Sequence, residues 1–74
     1  VEELYNISKI HSRSLIEHGS KIGHNCHIST GVIINGDVEI GNQTFIGSGA
    51  VIKNGISISS KQIVRLGSVV SENI

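Results

Sequence analysis

Aliphatic residues stand at every sixth position along the chain: Leu4, Ile10, Ile16, Ile22, Ile28, Ile34, Ile40, Ile46, Ile52, Ile58, Val64 and Val70. Neither the 3.6-residue period of a helix nor the two-residue period of a half-buried strand gives such a series. A second column follows four residues behind each aliphatic: Ser8, Ser14, Ser20, Cys26, Val32, Val38, Thr44, Ala50, Ile56, Gln62, Ser68 and Ile74, mostly small or β-branched. Three residues behind each aliphatic the chain is rich in Gly, Asn and Asp, at Gly19, Asn25, Gly31, Asp37, Gly49, Gly55, Gly67 and Asn73. These residue types tolerate the positive φ of a tight corner. The pattern predicts a short strand, a corner and another short strand, repeated throughout, with one aliphatic and one small residue of each hexapeptide turned inward.

Three such hexapeptides close a triangular coil, and successive coils stack at the spacing of neighbouring strands, roughly 4.8 Å. The expected fold is all-β: a parallel β-helix of about four triangular coils, forming one domain over residues 1–74. Residues one coil apart then lie one above another. His18, Gly36 and Asn54 form a column at one corner. Thr30, Ser48 and Leu66 form a column at another, each followed by a glycine, so that Gly31, Gly49 and Gly67 make a ridge without side chains. Two readings of that ridge stand side by side: each corner wants a residue in the left-handed conformation, or an extended ligand lies along backbone amides there. His27 is expected beneath Phe45 and Ile63, on a flat face between those two corners.

Composition narrows the function classes. A core of stacked isoleucine needs few aromatics, in keeping with a 3% aromatic content. Six Lys and Arg balance six Asp and Glu, and a neutral chain without a basic run argues against nucleic acid, whose binding rests on neutralised phosphates. The single cysteine makes no internal disulfide, and Cys26 falls in the inward column as a core filler. No apolar run approaches a membrane span, and no secretory leader is recognisable. A cytoplasmic location is the expectation. The sequence begins at Val1 and contains no methionine, so a piece of a longer chain is expected.

The histidines His11, His18, His24 and His27 all fall outside the inward columns. Lys53, Lys61 and Arg65 are candidates to meet phosphate groups, and Phe45, apolar on an outward face, is a candidate subunit contact.

The series Ile16-Glu17-His18-Gly19, Ile22-Gly23, His27-Ile28-Ser29, Asn35-Gly36 and Phe45-Ile46-Gly47-Ser48-Gly49-Ala50 resembles the hexapeptide-repeat acyltransferases, in particular the bacterial sialic acid O-acetyltransferase and UDP-4-amino-sugar N-acetyltransferase branch. The resemblance covers roughly residues 10–74. It implies a left-handed coil, a homotrimer with active sites between subunits, and acetyl-CoA as co-substrate. It also implies transfer of an acetyl group to a sugar or nucleotide-sugar amine or hydroxyl. By the same resemblance His18 is the general base, a role that suits an imidazole titrating near neutrality. His27, Ser48 and Leu66 are implied as coenzyme contacts, and the Gly36 amide as a donor to the thioester oxygen.

One departure stands out. Where these proteins usually carry Glu or Asp directly after the base, this chain has Gly19. Such an acid holds the imidazole tautomer. Asp37, one coil above Gly19, is the expected substitute and the second catalytic candidate. The N-terminal nucleotide-sugar-binding domain of these relatives and their Gly-x-Pro-Ala stretch after the last coil do not occur in this sequence.

Two other readings compete. A non-catalytic trimeric β-helix scaffold fits Gly19 and the missing flanking pieces. A γ-class carbonic anhydrase-like metalloenzyme shares the fold, and Ile22-Gly23-His24 is superficially similar to it. Zinc catalysis needs three protein ligands, however, and the histidine pair five apart of that class does not occur, so no metal is expected.

Overall fold

The computed structural model describes residues 3–4, 9–10 and 13–74. His11 lies outside the described residues. Among them are twelve strands of two residues each, one per hexapeptide, gathered into three parallel sheets of four. The Lys21 face stacks Glu3–Leu4, Lys21–Ile22, Glu39–Ile40 and Ser57–Ile58. The His27 face stacks Lys9–Ile10, His27–Ile28, Phe45–Ile46 and Ile63–Val64. The Ile33 face stacks Leu15–Ile16, Ile33–Ile34, Val51–Ile52 and Val69–Val70. The chain visits the faces in that order, so the solenoid is the parallel β-helix that the six-residue period predicts. Register follows the period as well, with Lys21 opposite Glu39, His27 opposite Phe45 and Ile33 opposite Val51.

From Lys21–Ile22 onward each two-residue strand turns its second residue inward. Ile22, Ile28, Ile34, Ile46 and Ile52 are completely buried, and Cys26, Val32, Val38, Thr44 and Ala50 of the second column fill the space between them. Burial of aliphatic surface by the neighbouring coils, rather than within any one coil, holds such a solenoid together. The backbone ladder runs alongside, as in the Leu15 amide donating to the Val32 carbonyl (2.9 Å) and the His27 amide to the Thr44 carbonyl (2.9 Å).

Three corners join the faces: the His24 corner after the Lys21 face, the Thr30 corner after the His27 face, and the His18 corner after the Ile33 face. From Arg13 to Gly67 every sixth residue has positive φ. Half of these are glycines, but Arg13, Asn25, Asp37, Gln43 and Lys61 adopt the same left-handed conformation, with φ between 57° and 63°. Composition does not announce a corner at Arg13, Gln43 or Lys61. The stacked ladder imposes it, because the Gln43 amide must donate to the His24 carbonyl (2.8 Å) and the Lys61 amide to the Asn42 carbonyl (2.8 Å). Local strain on the order of 1–2 kcal/mol per residue is accepted for that closure.

Gly47 is required for a different reason. Its φ is ordinary, but a Cβ there would lie 2.5 Å from the Leu66 backbone nitrogen of the next coil. At Gly49 a Cβ would meet nothing within 4 Å, although φ is +73°. Gly47→Ala is therefore expected to destabilise the fold by about 3 kcal/mol through overpacking, and Gly49→Ala by about 1 kcal/mol through backbone strain. Urea unfolding of the two variants checks the order.

The outward residues differ sharply between faces. The Lys21 face shows Lys21, Glu39 and Ser57, whereas the Ile33 face shows only Leu15, Ile33, Val51 and Val69.

Candidate functional site

At the His18 corner the chain leaves Ile16, turns through Glu17, His18 and Gly19, and enters the Lys21 face. The His18 side chain is exposed, and its carbonyl accepts the Asp37 amide of the next coil (3.2 Å). Gly19 has φ +83°, and a Cβ built on it would collide with the Asp37 carboxylate. Asp37 thus fills the space directly over the residue after His18, in the column where the sequence reading expected a substitute acid. One coil higher, the Gly36 carbonyl accepts both the Asn54 side-chain amide (2.8 Å) and the Gly55 backbone amide (3.0 Å). His18, Gly36, Asp37 and Asn54 form one cluster.

The Thr30 corner is a bare ridge. Gly31, Gly49 and Gly67 have φ between 70° and 74°, and the Gly49 and Gly67 amides donate to the Thr30 and Ser48 carbonyls (3.0 and 2.9 Å). Ser48 is exposed, and Leu66 is 79% exposed. His27 belongs to the adjoining face, where its ring stacks on Phe45 with centroids 5.0 Å apart and planes at 20°. Ile63 continues that column, 75% exposed. His27, Phe45, Ser48 and Leu66 form the second cluster.

The expectation that His27 lies between the His18 and Thr30 corners is incorrect. The face between those corners is the aliphatic Ile33 face, while His27 sits between the His24 and Thr30 corners. The reason is the three-sided path: the chain turns at His24 before reaching His27, so a third corner intervenes. The His27 face is the side of the prism opposite the His18 corner. One chain therefore keeps its two clusters apart. Lys53, Lys61 and Arg65 are also divided, one on each corner and all exposed, with only Arg65 on the glycine ridge.

A feature not read from the sequence separates the corners further. At the His24 corner two of the three outward amides are closed by side chains from the coil above, with the His24 amide donating to Asn42 Oδ1 (2.8 Å) and the Asn42 amide to Ser60 Oγ (2.9 Å). The Ser60 amide finds no acceptor among the described residues. At the Thr30 corner the Thr30, Ser48 and Leu66 amides find no acceptor among the described residues, and at the His18 corner neither do those of Gly36 and Asn54. Residue type does not announce the difference, since Ser48 above Thr30 and Asn54 above Gly36 also carry side-chain oxygens, and Asn54 uses its amide nitrogen on the Gly36 carbonyl instead.

Cys26 is buried, as expected of a core filler, and its thiol donates to the Gly41 carbonyl (3.0 Å). Among the described residues no three His, Cys, Asp or Glu side chains gather as a metal site, and no helix is long and apolar enough to cross a membrane.

Two family profiles match the chain. The bacterial transferase hexapeptide (six repeats) matches residues 19–54, and the hexapeptide repeat of succinyl-transferase matches residues 37–72. No curated protein and no solved structure shows significant similarity to the chain. Between them the two matches span residues 19–72, which takes in His27, Gly36, Asp37, Ser48, Asn54 and Leu66 but not His18.

Proposed function

From a solenoid of transferase-type hexapeptide repeats, we propose an acyltransferase that moves an acetyl group from acetyl-CoA to an amine or hydroxyl of a sugar or nucleotide-linked sugar. His18 takes the proton from the acceptor as its nitrogen or oxygen attacks the thioester carbonyl carbon. The negative charge that develops on the carbonyl oxygen is met by the Gly36 amide. Collapse of the tetrahedral intermediate breaks the carbon–sulfur bond, and the departing thiolate receives the proton that His18 holds. Asp37, lying over Gly19, orients the imidazole from the next coil in place of an acid in sequence.

The observation that carries this reading is the distribution of open amides. They line the two corners to which the resemblance assigns the base and the coenzyme. At the third corner the His24 and Asn42 amides are closed by side chains, and only that of Ser60 is open among the described residues. The stacked N–H groups of Thr30, Ser48 and Leu66, beside the glycine ridge, suit the amide carbonyls of an extended pantetheine arm.

The separation of the clusters adds a requirement. His18, Gly36 and Asp37 of one copy meet His27, Ser48 and Leu66 only if a neighbouring copy brings its His27 face and Thr30 corner alongside. Such head-to-tail contacts close into a ring, and the resemblance makes that ring a homotrimer. The reading of sialic acid or a 4-amino sugar as acceptor rests on the same resemblance.

Calorimetric titration of acetyl-CoA into protein of known sedimentation state tests the proposal. Micromolar binding, weakened about tenfold by His27→Ala, is the expected result, since stacked and hydrogen-bonded contacts of this kind contribute roughly 1–2 kcal/mol. A folded trimer indifferent to acetyl-CoA would instead be the scaffold.

A further inference from the structure

We infer that Ser20, a completely buried residue of the inward column, is a positioning residue that fixes the Gly36 amide as the oxyanion donor; the assignment rests on the transferase reading above. Ser20 Oγ donates to the Asn35 carbonyl (2.8 Å) and accepts the Val38 amide (3.2 Å). The Asn35 carbonyl and the Gly36 N–H belong to one planar peptide group, pointing in opposite directions. Holding the oxygen inward holds the N–H outward. A hydrogen bond to the carbonyl also polarises the group and strengthens its N–H as a donor.

The neighbouring peptide groups are tied as firmly. The Asn35 amide and its side-chain Nδ2 both donate to the Ile52 carbonyl (3.1 and 2.9 Å), and the Gly36 carbonyl is held by Asn54 and Gly55. Yet the Gly36 N–H itself has no acceptor among the described residues.

The rest of the column separates this role from a purely structural one. Ser14, Cys26 and Thr44 make the same bond, to the carbonyls of Ser29, Gly41 and Ser59 (2.8, 3.0 and 3.0 Å). Val32, Val38 and Ala50 occupy equivalent positions, fully buried and without a hydroxyl. Corners therefore form whether or not the bond is present. Of the peptide groups locked in this way, the one above Ser20 presents an open N–H in the cluster of His18 and Asp37.

The column also supplies the variants. Ser20→Ala places at this site what Ala50 already shows to fit, and Ser20→Thr restores the bond as Thr44 makes it. Acetyl-CoA cleavage by the assembled protein, read as free thiol with a hexosamine as acceptor probe, is expected to fall about tenfold in kcat for Ser20→Ala. That is a fraction of the 100-fold or more that follows outright loss of an oxyanion donor. KM for acetyl-CoA should stay within about twofold of wild type, since the ground-state contacts are unchanged. The Gly36 amide nitrogen resonance should move in Ser20→Ala and return in Ser20→Thr, together with kcat.

A Ser20→Ala protein that turns over at the wild-type rate overturns the role, as does a folded Ser20→Thr protein as slow as the alanine variant. Should Ser20→Ala not fold, Ser20→Cys serves, because the Cys26 thiol already makes this bond (3.0 Å); a wild-type kcat there, with the Gly36 resonance displaced, also overturns it. Wild-type protein that neither binds nor cleaves acetyl-CoA removes the transferase reading and this role with it.

Discussion

His18→Ala is expected to cleave acetyl-CoA about a thousandfold more slowly than the wild-type chain, in the middle of the range for loss of a positioned general base. Its affinity for acetyl-CoA should be unchanged. The side chain is exposed at a corner whose shape is set by backbone bonds, including the Asp37 amide to the His18 carbonyl, and removing an imidazole leaves those bonds in place. Melting temperature should therefore hold while kcat collapses. Asp37→Asn keeps the volume over Gly19 but removes the charge, and a fall in kcat of about tenfold is expected if this carboxylate orients the base. Comparing the two by steady-state kinetics separates the base from its support. Equal losses would make the pair a unit, and an Asp37→Asn protein with undiminished turnover would strike Asp37 from the mechanism.

The second large effect is on stability. Ile34 is completely buried, opposite Ile16 on one side and Ile52 on the other. Ile34→Ala is expected to cost about 4 kcal/mol, the lost transfer energy plus the cavity that a rigid ladder cannot collapse to fill. A domain of this size holds only about 5–15 kcal/mol in all, so the midpoint of thermal unfolding should fall by about 20 °C. Position along the axis matters as well. Coils support one another only through nearest neighbours, so an interior loss uncouples those on either side. Val70, 9% exposed in the last described coil, has one neighbour in its sheet. Val70→Ala should cost about 1–2 kcal/mol by the same reasoning. Differential scanning calorimetry of both variants tests the gradient, and equal losses would contradict a solenoid held by stacking.

The fold was legible because its cause is periodic. An aliphatic at every sixth residue can be buried repeatedly only if the chain turns at the same interval, and residues such as Gly31, Gly49 and Gly67 mark where it turns. The column of His18, Gly36 and Asn54, and the place of Asp37 over Gly19, follow from counting one coil forward. The corners at Arg13, Gln43 and Lys61 were not legible in their residue types. There the ladder dictates a left-handed backbone against local preference.

The candidate site was legible in its members but not in its grouping. Spacing along the chain gives the column of each residue. Which columns face each other depends on closing the triangle, and closure puts His27 on the side opposite the His18 corner. Tertiary structure also decided which amides are spent and which are offered. Asn42 and Ser60 reach down to close two of the three outward amides of the His24 corner, while Ser20 reaches up to the Asn35 carbonyl and leaves the Gly36 N–H open. A sequence specifies hydrogen-bonding groups, but their partners lie a coil away, so only the folded chain settles which of them remain for a ligand.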